Sequence, residues 1–288
     1  MALTTDEATE LFRREPERWI DTGGGEVAYR RIGSGPDVVF VHGWPVSGAT
    51  FRRLLPPLAD HVTCHVIDLP GTGHSRWTQE TTLSIENHIN AVRAVIDDLG
   101  VDSLAVVGHD SGGMIARYAV AGDERLRAMG LINTEMPGGL SWRFTSFLAL
   151  RHVPGIGRVL GAIAGRRTVY RNKFVLGDAF KDKRHLDGEF AEFFLRPWHD
   201  DPKLRDATAR LLRSFDPDMV EDLGDIHRRI DAPVALVWGT ADPFFPVERV
   251  EAGAVDLDAT LTRIDDAGLF SHEERPEAVA AALLPVVG

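Results

Sequence analysis

The stretch "LAVVGHDSGGMIARYAVAG", residues 104–122, most constrains how this chain can fold. An apolar Val-rich run without alternation reads as a strand covered on both faces. It passes without a linker into a helical pattern that ends in Gly. A strand that turns directly into a helix needs a tight bend, and Gly108 and Gly112 flank that bend. Asp110 stands at its apex, in the form small-x-nucleophile-x-small. The backbone N–H of Ser111 then points at the reacting centre, at the positive end of the helix. Two other readings accompany this one: Asp110 as a simple helix N-cap, and Ser111 as nucleophile, for which His109 fits poorly as the preceding small residue.

Further short apolar runs surround this element: "VVFVHG" (38–43), "CHVIDLPG" (64–71), "MGLINTE" (129–135), "VALVWGTAD" (234–242) and "TLTRIDDAG" (260–268). Helical patterns lie between them, among them "TLSIENHINAVRAVIDDLG" (82–100) and the closing "ERPEAVAAALLPVV". Strands alternating with helices predict an α/β fold with a mostly parallel central sheet flanked by helices. "GGEVAYRRIG" alternates and predicts an antiparallel edge. The alternation stops between about 137 and 221, where Phe, Trp and Arg fill short helical patterns broken by Pro and Gly. The expected organisation is a core of residues 1–136 and 222–288 with a helical cap at 137–221.

The net charge of -11 and the lack of a Lys/Arg block argue against a nucleic-acid partner. The single cysteine, Cys64, makes no internal disulfide and reads as a small buried apolar side chain. The N-terminal residues are charged and lack an apolar signal core, and no apolar run reaches a membrane span. The expectation is a cytoplasmic monomer or homodimer with a small hydrophobic molecule as its partner, and no membrane. Histidines and carboxylates do not cluster at metal-ligand spacing, so neither metal nor cofactor is expected.

Three more pieces support a reactive Asp110. "VHGWP" (41–45) follows a buried strand and can offer a second oxyanion N–H from Trp44. "WGTADPFFP" (238–246) ends a strand on Asp242, which can orient a histidine or merely cap a turn. "DDAGLFSHEERPE" (265–277) supplies His272.

Together these motifs resemble the α/β-hydrolase fold, over about 25–136 and 230–288. The Asp in "GHDSGG" resembles the branch of epoxide hydrolases and haloalkane dehalogenases. The resemblance implies that a carboxylate attacks an sp³ carbon, and that an activated water then cleaves the alkyl-enzyme ester. A serine nucleophile would leave an ether that water cannot cleave, so an Asp nucleophile points to alkyl substrates.

The sequence departs from that pattern in four places. Relatives usually carry His directly after Gly in the last loop; here that position is Leu269, with His272 as base only if the loop is shifted. Dehalogenases typically carry a halide-binding Trp after the nucleophile; here it is Ser111, with the Trp44 indole as substitute. Epoxide hydrolases usually protonate the leaving oxygen with two cap tyrosines; only Tyr170 lies in the cap, beside His152, His185 and His199. Two acids, Glu135 and Asp242, fit the triad place, and "GTADPF" favours Asp242. Trp142, Phe144, Phe147 and Phe244 are expected to line an apolar site. The reading is an epoxide-hydrolase-type enzyme with turnover impaired at Leu269. The alternatives are a haloalkane dehalogenase and a non-hydrolytic binding or cyclase-like protein.

Overall fold

A computed structural model describes residues 2–288. Eight strands form one sheet: β1 (Arg18–Asp21), β2 (Glu26–Gly33), β3 (Asp37–Val41), β4 (Thr63–Asp68), β5 (Leu104–His109), β6 (Leu126–Ile132), β7 (Val234–Gly239) and β8 (Thr260–Ile264). Their order is β1-β2-β4-β3-β5-β6-β7-β8. β1 and β2 pair antiparallel, as do β2 and β4, and every other pairing is parallel. The alternating "EVAYRRIG" is thus the antiparallel strand expected, whereas β1, four residues long, left no periodic signal. β4, β5 and β7 are buried along their whole length, which explains their unbroken apolar runs.

The runs overstated the strands at their carboxyl ends. β3 stops at Val41, β5 at His109, β7 at Gly239 and β8 at Ile264. The residues beyond these points turn away into loops. After β3 the chain runs to β4 on one side, then returns to β5 on the other. The register places Val41 beside Gly108, so the loops leaving β3 and β5 start side by side. Such a reversal opens a crevice at the carboxyl ends of a parallel sheet, where ligands bind in folds of this kind.

The helix Ile85–Leu99 begins at Ser84, whose hydroxyl accepts the Asn87 N–H, and stops at Gly100 in a left-handed conformation, φ 62°. It packs on the helix Ser111–Val120, which lies against β3, β5 and β6. The last helix, Pro276–Val287, covers β6 and β7. Between β6 and β7 the regular elements are all helical among the described residues, including Trp142–Leu148, Ile156–Ala164, Arg196–Asp200 and Pro202–Ser214. Their inner faces join the same hydrophobic core as the sheet. No single helix is long and apolar enough to cross a membrane.

A buried ion pair ties the segment after β3 to the chain end. Arg52 donates to both carboxylate oxygens of Glu273 at 2.8 Å, and the two side chains are 2% and 1% exposed. Removing one member strands the other charge away from water. Arg52→Met is expected to destabilise the protein by roughly 3–5 kcal/mol, read from the urea midpoint. A loss below 1 kcal/mol would show that Glu273 takes up a proton or reaches water.

Candidate active site

Asp110 occupies the bend between β5 and the helix Ser111–Val120 with φ 53° and ψ -141°. This is a strained backbone for a residue with a Cβ. Two contacts hold it: its N–H donates to the carbonyl of Asn133 at 3.0 Å, and its carbonyl accepts the Thr134 hydroxyl at 2.8 Å. Asp110 sits at the N-cap position, yet its side chain makes no capping hydrogen bond. The carboxyl is therefore free to face outward. Close approach around it requires glycine: a Cβ at Gly43 would lie 2.5 Å from Asp110 Oδ2, and one at Gly112 would lie 2.3 Å from the Val41 carbonyl.

Above Asp110 lies a narrow apolar cavity with a volume of about 60 Å³. Asp110 and Ser111 are the only ionisable or hydroxyl side chains on its wall among the described residues. Phe144, Phe147 and Phe244 line it as expected, and Trp44 and Leu269 complete the floor. Trp142 departs from the expectation, being 71% exposed and outside the cavity. Tyr170 is also absent from the wall; its hydroxyl donates to Asp187 Oδ1 at 3.1 Å. Phe190, Phe194, Trp198, Phe215, Phe245 and Phe270 line the cavity without having been singled out. The short helical patterns "GEFAEFFLRPW" (188–198) and "PKLRDATARLLRSF" (202–215) did not tell which ring turns inward.

Burial raises Asp110 well above the ordinary carboxylate range, and the nearby Glu135 and Asp242 push it the same way. The nearby backbone N–H groups of Ser111 and Trp44 oppose this by favouring its charged form. Trp44 N–H also donates to Ser111 Oγ at 2.9 Å. The Trp44 indole does not serve as the halide donor envisaged from sequence, because it donates to the Thr208 carbonyl at 3.1 Å.

The two candidate acids are placed differently. Asp242 Oδ1 accepts the N–H groups of Phe244 and Phe245 at 2.8 and 3.2 Å, and Oδ2 accepts the Asn133 amide at 2.8 Å. Among the described residues no imidazole hydrogen-bonds to it. Glu135, 1% exposed, has Oε2 2.9 Å from the Thr134 hydroxyl oxygen, and its Oε1 has no partner among the described residues. Burial raises both, Asp242 to about 7. An acid raised on folding binds its proton more tightly in the native state, so stability falls as pH climbs from the ordinary Asp value of 3.8 towards 7. Asp242→Asn removes that dependence. Its unfolding free energy relative to the parent should therefore drop by about 4 kcal/mol at most between pH 7 and pH 4. Buried neutral histidines such as His88 and His109 titrate in the opposite sense, but in both proteins alike. A difference that stays flat with pH would place Asp242 at an ordinary carboxylate pKa.

The last loop brings Leu269, not His272, to the cavity. His109 Nε2–H donates to the Leu269 carbonyl at 3.0 Å and pins the loop there. His272 points into the core, with Nε2 2.9 Å from the Thr50 hydroxyl and its ring against those of His109 and Phe51. Its burial, with His109 and Arg52 adding to the effect, holds its pKa well below the usual imidazole value. The shifted loop that would make His272 a base is not present. His42, in "VHGWP", is a structural hydrogen-bonder: Nδ1–H donates to the Gly43 carbonyl and Nε2 accepts the Leu69 N–H, both at 2.9 Å.

A strained acid thus stands at a strand-to-helix bend, under an apolar cavity at the sheet's reversal point. Comparison with known proteins gives the family. The alpha/beta hydrolase fold model matches residues 36–276, and the chain belongs to that family. Haloalkane dehalogenase 2 of Mycobacterium tuberculosis is 26% identical over 286 residues, covering 94% of both chains. Soluble epoxide hydrolase of a Corynebacterium species is 32% identical over 134 residues, 45% of this chain and 46% of that protein. A crystal structure of a putative ancestral haloalkane dehalogenase superposes with a TM-score of 0.77 at 24% identity, over 94% of this chain and 98% of that one, a likeness of fold. The protein is an α/β hydrolase related to haloalkane dehalogenases and epoxide hydrolases.

Proposed function

We propose that Asp110 opens small hydrophobic epoxides to form an alkyl-enzyme ester, and that hydrolysis of this ester is slow. In this reading residues 137–221 act as a cap over the core of 1–136 and 222–288. The observation that carries it is the apolar cavity with Asp110 at its floor and Leu269 where a base would face the ester. A carboxyl oxygen of Asp110 attacks a ring carbon. The ring C–O bond breaks as the ester C–O bond forms. The carboxyl proton that burial holds on Asp110 passes to the ring oxygen, which leaves a hydroxyalkyl ester. No cap tyrosine is needed for that proton, which matters because Tyr170 is turned to Asp187.

An alkyl halide instead requires a donor for the departing anion. Ser111 and the engaged Trp44 indole offer little, which favours the epoxide. Trp198, whose side chain is on the cavity wall, is the donor a halide would use, and it supports haloalkane dehalogenation as the second reading. Intact-mass measurement after exposure to small epoxides and alkyl halides tests both. One equivalent of added epoxide mass on Asp110 is the expected result. Halide release with epoxides inert would select the second reading, and no covalent change with either would leave a binding or cyclase-like protein.

A further inference from the structure

The net charge of -11 hides a segregation: residues 137–186 contain ten Arg and Lys against two Asp, a local net charge of +8. Among the described residues, every large apolar side chain found exposed also lies in this stretch: Trp142 (71%), Val153 (36%), Val159 (40%) and Phe174 (65%). Trp142 and Phe174 are held near each other. Arg143, buried beside Trp142, pairs with Asp178 and donates to the carbonyls of Lys173 and Val175, on either side of Phe174. The Lys173 ammonium lies 4.9 Å from the Phe174 ring centroid. Val159 is exposed beside Arg158 on the helix Ile156–Ala164, and Arg166 follows. Arg158, Arg166 and Lys173 form no ion pair among the described residues, whereas Arg167 and Arg171 are paired with Asp187. The helical stretches Trp142–His152 and Ile156–Ala164 are together apolar enough for a membrane span, yet they are bent by 120°.

We propose that the segment 142–174, through exposed Trp142, Val159 and Phe174 and the cations Arg158, Arg166 and Lys173, docks on an anionic lipid membrane. Exposed rings among unpaired cations are the composition of an interfacial segment: the rings enter the acyl boundary and the cations meet lipid phosphates. A soluble polyanion would use the cations and leave the rings in water, so the rings favour lipid. The sequence expectation of no membrane partner rested on the lack of a span. This is attachment without a span, and it shows only once exposure is known. The helix Trp142–Leu148 presents Trp142 outward and Phe144 and Leu148 to the cavity. On the epoxide reading above, an apolar substrate dissolved in the bilayer would have a short path to Asp110.

Vesicle co-sedimentation of the full chain tests this without any substrate, so its outcome is independent of the alkylation chemistry. Binding to phosphatidylcholine–phosphatidylglycerol vesicles is expected, weakened by salt, with little binding to phosphatidylcholine alone. The triple variant Arg158→Gln, Arg166→Gln, Lys173→Gln should lose roughly 100-fold in affinity, from the usual contribution of a surface cation at an anionic membrane. Val159→Ser with Phe174→Ser should weaken binding while the circular dichroism stays unchanged. Tryptophan emission should shift to the blue on binding, and Trp142→Phe should remove the shift. Failure to bind anionic vesicles overturns the proposal. So does binding to heparin without binding to vesicles, which would assign the segment to a soluble polyanion, and so does binding indifferent to the triple variant.

Discussion

On the proposed epoxide reading, Leu269→His is expected to turn a single alkylation with slow release into steady turnover. The side chain at 269 faces the cavity that Asp110 floors, so an imidazole there lies where a water attacking the ester must lose its proton. General-base assistance of this kind contributes roughly 10²–10⁴-fold to a rate, and deacylation should rise by that factor. The measurement is diol appearance in single-turnover and steady-state assays, with the adduct followed by mass. Asp242, raised to about 7 and already accepting three N–H groups, sets the ceiling on the gain. An imidazole must share Oδ2 with Asn133 to be oriented. If Leu269→His still accumulates adduct without product, the block lies in water access rather than in the missing base.

Asp110→Asn is expected to abolish adduct formation, by a factor on the order of 10⁴ or more for loss of a nucleophile. The amide keeps the size of the side chain and tolerates the positive φ of 53°. It also removes a buried acid whose ionisation burial and two neighbouring carboxyls oppose. The variant should therefore be at least as stable as the parent at neutral pH while unreactive. Labelling that persists in Asp110→Asn would move the nucleophile to another residue, with Glu135 first, because its Oε1 is buried and unpartnered.

The parallel sheet was legible because strands buried on both faces leave unbroken apolar runs, as in β4, β5 and β7. The bend at Asp110 was legible because glycine is needed where the chain crosses itself closely, as at Gly112. The position of Leu269 followed from counting past Gly268. The interior of the helical segment was not legible. Periodicity marks that a helix has an apolar face, but not what that face covers, so Trp142 was expected inside and Trp198 was passed over. The partners of the Tyr170 hydroxyl and the Trp44 indole, and the Asn133 that meets Asp242, lie 17, 164 and 109 positions away in sequence, beyond the reach of any local motif, whereas the Phe244 and Phe245 N–H groups on Asp242 are the turn-capping the sequence allowed.

The cavity wall offers an arriving water very few hydrogen-bond partners. On the proposed reading, an ester formed there would age by the rare visits of solvent rather than by a catalysed step. The alkylated fraction of a population of such molecules therefore sums past encounters with the electrophile, weighted towards recent ones, as a dosimeter does. Its reading resets by new synthesis or slow hydrolysis, and its full scale is the number of protein copies.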